Sequence, residues 1–111
     1  MQACVDACLI SKMAERGQIK GALVDGPLGL DLAIDAESVR IKGLKSEVAG
    51  DADCLLFPNI ESGNLFYKSN TKLAGAELGA MVIGAKVPCV LTSRGDSSKS
   101  KLYSISLAAS L

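Results

Sequence analysis

The 111-residue chain balances twelve Lys and Arg against twelve Asp and Glu, contains no His, and is only 4% aromatic. Cancelled charge removes the electrostatic case for nucleic acid or an anionic membrane, and so few rings argue against a base-stacking surface. Without His, proton transfer near neutral pH and metal binding fall to Asp, Glu, Lys, Cys or the substrate itself, and the length allows one domain at most.

In chain order, Val5, Cys8, Leu9 and Met13 form an apolar stripe with Asp6, Lys12, Glu15 and Arg16 largely off it. That pattern predicts an amphipathic helix over 2–16, with Gly17 at its C-terminal cap. Residues 19–24 form a strand candidate ending in Asp25-Gly26-Pro27, and Pro27 can open a helix that continues through Leu28, Leu30, Leu32 and Ala33. Residues 36–42 are helix-compatible. A polar passage leads to Cys54-Leu55-Leu56-Phe57, an uninterrupted apolar run that fits a strand buried on both faces and stopped by Pro58. Residues 60–73 are long enough for a helix despite Gly63 and Asn64, and residues 79–83 form another strand candidate. The link through 84–88 is too short for a parallel crossover, so the strands at 79–83 and 89–92 are antiparallel or lie in different layers or domains. From Ser97 onward, Leu102, Ile105 and Ala109 mark one face of a final helix. Alternating helix and strand then predict an α/β architecture, with a mainly parallel sheet and flanking helices.

Cys4, Cys8, Cys54 and Cys89 lack the C-x-x-C spacing of a zinc ribbon or redox pair, so buried reduced thiols, no metal and a cytoplasmic location are expected. Charged residues interrupt the start as they would not in a secretory signal, and no apolar run approaches the ~20 residues of a membrane helix.

Three polar, glycine-bearing loops follow the predicted strands: Asp25-Gly26-Pro27, the stretch from Pro58 to Asn64, and Ser93-Arg94-Gly95-Asp96. In a parallel α/β sheet such loops gather at one edge, where ligands bind; turns also simply use Gly, Pro, Asn, Asp and Ser. Asp96 and Ser97 suit a helix N-cap equally well. Arg94 adds nothing to a turn, and beside a helix N-terminus its planar fork suits phosphate or carboxylate. Neither G-x-G-x-x-G nor a Walker loop occurs.

The strings V-D-G-P-L-G-L-D (24–31), A-G-D-A-D-C-L-L-F-P-N-I-E-S-G-N (49–64) and V-P-C-V-L-T-S-R-G-D-S (87–97) resemble the phosphate acetyl/butyryltransferase family, closer to its butyryl branch. The resemblance runs through nearly the whole chain but covers only roughly the C-terminal third of such an enzyme. It implies part of a two-domain, isocitrate dehydrogenase-like fold. Residues 1–86 would be the latter part of the second domain, and residues 87–111 the strand and helix that return to the first. It further implies reversible acyl transfer between coenzyme A and inorganic phosphate. Acyl-CoA, phosphate and acyl phosphate would be the substrates, with no permanently bound cofactor and no metal.

By resemblance Arg94 meets phosphate or acyl phosphate and Ser93 hydrogen-bonds near the sulfur. Asp96 matches the Ser-Arg-x-Asp form of the butyryl branch and is the candidate base, whereas the acetyl branch has an Asp where this chain has Ser100. Asn64, Gly63, Asp25, Gly95 and Ser97 are the expected substrate-binding positions. A homo-oligomer, a dimer or larger assembly, is expected, because helices and a terminal strand that pack on absent partners leave apolar surface exposed. The competing expectation is a non-catalytic α/β module that binds a small anion or a partner chain.

Overall fold

In the computed structural model, which describes residues 1–111, the first helix α1 covers Gln2–Glu15. It stops where glycine permits. Gly17, at φ 75°, lets its own N–H reach the Ala14 carbonyl and the Gln18 N–H reach that of Met13, the paired closure of a Schellman end. Helix α2 (Leu30–Ile34) opens at Gly29, three residues later than Pro27 would place it; Pro27 itself follows a cis peptide bond. Helix α3 (Ala36–Lys42) is capped by Asp35, whose carboxylate accepts from the Glu37 and Ser38 amides and the Ser38 hydroxyl, and it closes at Gly43 in the left-handed region.

The chain divides into two compact units, Met1–Ile60 and Glu61–Leu111. In the first, the Gly50 amide donates to the Leu32 carbonyl and the Ala52 amide to that of Ala33, so the segment after α3 turns back along α2. Gly50 has φ 85°, and a Cβ there would lie 2.9 Å from the Ala36 Cα; a side chain is excluded twice over. In the second unit, α4 (Ile60–Lys72) and α5 (Ser98–Ala109) flank a non-helical middle. Ser104 is 1% exposed; its hydroxyl donates to the Ser100 carbonyl (2.8 Å) and accepts the Ala80 N–H (3.0 Å). Gly79 passes so close to α5 that a Cβ would meet Tyr103 backbone and Cβ atoms at 3.2 Å.

The expected α/β architecture with a mainly parallel sheet is not what forms. The chain is helical, and its one β-type pairing is an antiparallel bridge between Val82 and Cys89, with the Val82 N–H donating over 2.9 Å. A strand exists only through a neighbour that takes its N–H and C=O groups. The runs at 19–24, 54–57, 79–83 and 89–92 supply no such neighbours to one another beyond this bridge. Gly21, at φ 83°, also breaks the first run from within.

Burial departs from expectation in the same way. Ala33 is the one fully buried apolar residue, whereas Val5, Leu9 and Met13 on α1 and Leu102 and Ile105 on α5 stand exposed. Their helices are real but the apolar stripes are uncovered. The cysteines are free rather than buried: Cys8 and Cys54 are exposed, Cys4 and Cys89 half-buried.

Candidate functional site

The loop from Ser93 to Asp96 is closed by its own side chains. The Asp96 N–H donates to the Ser93 carbonyl (3.1 Å), and the Asp96 Oδ2 accepts the Ser93 N–H (2.8 Å). Gly95 N–H donates to the Ser93 Oγ at 3.4 Å, which leaves the Ser93 O–H as a donor. Ser97 takes the N-cap of α5, accepting the Ser100 N–H at 3.1 Å and lying 3.1 Å from the Ser100 hydroxyl. The cap that two residues could have filled is thus filled by Ser97, and Asp96 is turned to the loop.

Helix α4 holds this loop from outside. The Tyr67 hydroxyl donates to Asp96 Oδ1, and the Lys72 Nζ donates to the Gly95 carbonyl (3.2 Å). Lys68 Nζ sits 4.0 Å from the Tyr67 ring centroid. The Tyr67 hydrogen bond is the main reason the Asp96 carboxyl lies below its ordinary range; desolvation opposes it, while the Ser93 amide and the charges of Lys68 and Lys72 reinforce it. The same bond pushes the Tyr67 phenol up, helped by desolvation and by the Asp96 charge. Asp96 is therefore ionised at neutral pH but reduced in basicity, with both oxygens engaged.

Arg94 is exposed and takes part in none of the chain's ion pairs. With Lys68 and Lys72 near the ionised Asp96, whose oxygens are turned to Tyr67 and the Ser93 amide, the loop offers an unpaired guanidinium and a hydroxyl donor at a helix N-terminus, suited to an oxyanion. Gly63 and Asn64 lie in the first turns of α4, four and three residues before Tyr67, and so share a helix face with it. The structure thereby ties the contiguous stretch Ser93, Arg94, Gly95, Asp96 and Ser97 to α4 through Tyr67 and Lys72, with Gly63 and Asn64 on the same helix. Asp25 lies in the other unit. Its carboxylate accepts the Gly26 N–H (2.7 Å) in a turn tied to α1 by the Ser11 hydroxyl, which donates to the Gly26 carbonyl (3.2 Å). It lines an open hollow of about 320 Å³ with Glu15, Leu23 and Ser46.

The sequence reading missed Tyr67 and Lys72. A signal existed: a phenol and two lysines fall within six residues of α4, just after the Gly-Asn pair. No group of three or more His, Cys, Asp or Glu side chains could hold a metal ion, and no helix is long and apolar enough to cross a membrane.

Residues 2–109 match the family model described as phosphate acetyl/butaryl transferase. The chain is 50% identical over 109 residues to the phosphate butyryltransferase of Clostridium acetobutylicum, covering 98% of this chain and 36% of that protein. It is 49% identical over 109 residues to the phosphate acetyltransferase of Thermotoga maritima, covering 98% of this chain and 37% of that one. A crystal structure of a branched-chain phosphotransacylase from Enterococcus faecalis V583 superposes with a TM-score of 0.85 at 42% identity, over 98% of this chain and 39% of the other. The chain thus spans about a third of the length of the curated relatives it matches.

Proposed function

Because the chain belongs to the phosphate acetyl/butyryltransferase family, we propose that it carries the reacting loop of an enzyme moving a short-chain acyl group between coenzyme A and inorganic phosphate. The observation that carries this reading is the Ser93–Asp96 loop, which presents an unpaired Arg94 and a donor hydroxyl at the start of α5. In the forward direction a phosphate oxygen, already deprotonated at neutral pH, attacks the thioester carbonyl. The C–S bond then breaks, and the coenzyme A thiolate leaves to take a proton from solvent. Arg94 would hold phosphate charge in both directions, and the Ser93 O–H would stabilise the departing thiolate. In reverse the thiol gives its proton to solvent, the thiolate attacks the acyl phosphate carbonyl, and the C–O bond breaks to release phosphate. None of these steps calls for a metal or a covalent enzyme intermediate.

Asn64 and Gly63 on α4, Gly95 and Ser97 around the loop, and Asp25 in its own turn are proposed to contact substrate. Asp96 serves as the loop's ionised carboxylate. Residues 1–86 and 87–111 are proposed to belong to different domains of the complete enzyme, which would act in the cytoplasm. Exposed apolar side chains on α1, α4 and α5, among them Leu9, Leu65 and Leu102, support an assembly such as a homodimer.

The test joins this chain in frame behind the upstream two-thirds of the Clostridium acetobutylicum relative and follows thiol release from butyryl-CoA and phosphate. Turnover is expected from the fusion and not from the 111-residue chain alone, since two substrates must be held in contact. Arg94→Lys in the fusion should lower turnover about a hundredfold, because a lysine keeps the charge but loses the bidentate fork. Turnover within a few-fold of the parent would remove Arg94 from the chemistry, and an inactive parent fusion would refute the acyl-transfer reading.

A further inference from the structure

We infer that Tyr67 is a positioning residue that acts through Asp96 to aim Ser93 and Arg94 at the reacting atoms; this rests on the acyl-transfer reading above. Two sets of contacts act on the loop. The Ser93–Asp96 and Gly95–Ser93 bonds are internal and fix its shape. They do not fix its direction, because a closed turn can still swing on the chain at either end. The direction is set from α4, by the Tyr67 hydroxyl on Asp96 Oδ1 and by Lys72 Nζ on the Gly95 carbonyl. Two anchors on one rigid helix, reaching two different residues of the loop, remove that swing. Ser93 Oγ and Arg94 then project from a frame tied to the helix that also carries Gly63 and Asn64.

Asp96 is the joint in this frame. One oxygen takes the loop's own amide and the other takes the phenol, so each is held in place by a donor of its own and a thiol proton would have to compete with those partners. Asp96 thereby acts through geometry and not as the general base, and Tyr67 matters only through it. A misplacement of about 1 Å in a reacting group can cost around a hundredfold in rate, so a single phenol at this joint has leverage well beyond one surface hydrogen bond.

The experiment has two arms. In the 111-residue chain, amide hydrogen exchange at Ser93 and Asp96 is followed by NMR in the parent, Tyr67→Phe and Asp96→Asn. Tyr67→Phe should speed both amides about tenfold, the order expected for losing a hydrogen bond to a charged group. In the fusion enzyme, Tyr67→Phe and Asp96→Asn should each lower kcat at least tenfold with the KM for butyryl-CoA unchanged. The double variant should be little worse than either single one, because both changes break one joint. The pH profile of kcat/KM in the direction of thiol attack should keep its shape in both variants and fall only in amplitude. A Tyr67→Phe enzyme with parental kcat overturns the inference. So does an Asp96→Asn enzyme that loses one limb of the pH profile, which makes Asp96 a base in its own right, or losses that simply multiply, which makes the two residues independent. An inactive parent fusion sinks the acyl-transfer reading; exchange in the 111-residue chain then decides by itself whether Tyr67 holds the loop, and unchanged rates at Ser93 and Asp96 refute that too.

Discussion

Ser104→Ala offers the sharpest test of how α5 is seated. The Ser104 hydroxyl is almost completely buried, accepts the Ala80 N–H at 3.0 Å and donates to the Ser100 carbonyl at 2.8 Å. Alanine fits the same space without strain and slightly favours the helix, so the change isolates the hydroxyl. The Ser100 carbonyl keeps its helical partner, and the loss falls on the Ala80 N–H. A net hydrogen bond contributes about 0.5–1.5 kcal/mol, and a stranded buried donor costs about 1–3 kcal/mol. Residue 80 is itself exposed, so water can reach the freed N–H and the lower end applies, about 1 kcal/mol. Exchange of the Ala80 amide, read by NMR at fixed pH, should therefore accelerate roughly fivefold. Gly79→Ala probes the same contact independently, since its Cβ would press on Tyr103 at 3.2 Å and lift the segment away. Exchange at Ser93, held from α4, should change in neither variant. An Ala80 rate within twofold of the parent in both variants would refute the packing of α5 on residues 79–80.

Two further outcomes follow from exposure and charge. Cys8 and Cys54 should react quickly with a soluble aromatic disulfide in the native chain, and Cys4 and Cys89 more slowly, the last also donating its thiol to the Val87 carbonyl at 3.4 Å; four equally slow thiols would contradict these exposures. Acid should loosen α3 and the 93–96 loop together. The Asp35 carboxyl is held low by the Ser38 hydroxyl and amide, and Asp96 by Tyr67. A carboxylate with a folded pKa below its unfolded value of about 4 stabilises fully above that value and loses its contribution as pH falls through the folded pKa. Helical circular dichroism should hold from pH 7 to about 5 and fall below about 4. Asp35→Asn, which keeps a capping oxygen, should lose the α3 part of that dependence, and a transition centred near pH 6 would show the assignment to be mistaken.

The site was legible in part. Ser93, Arg94, Gly95, Asp96 and Ser97 are contiguous, and contiguous residues declare a polar turn before a helix whatever surrounds it. What the turn is fastened to was not legible. Tyr67 and Asp96 stand 29 positions apart, and no local pattern links a phenol on a helix to a carboxylate in a loop. The choice between Asp96 and Ser97 as the cap was open for the same reason, because both residue types fit, and in the fold Asp96 is taken up by the Ser93 amide and Tyr67 while Ser97 caps.

Family membership and the five helical segments were determined by the sequence itself. Motif order survives without tertiary context, and helix hydrogen bonds are local, with limits written as Asp35 and Ser97 at the starts and Gly17 and Gly43 at the ends. Strands were beyond its reach, because an apolar run holds only half of each ladder bond, and of these runs only Val82 and Cys89 pair, in a single bridge. Burial was beyond it too. The apolar stripe of α5 stands exposed, while the face that packs is Ser100 and Ser104, small residues that let Gly79 and Ala80 approach closely. Periodicity reveals which residues share a helix face; only the tertiary structure decides which face meets a neighbour, because that depends on what the rest of the chain places there.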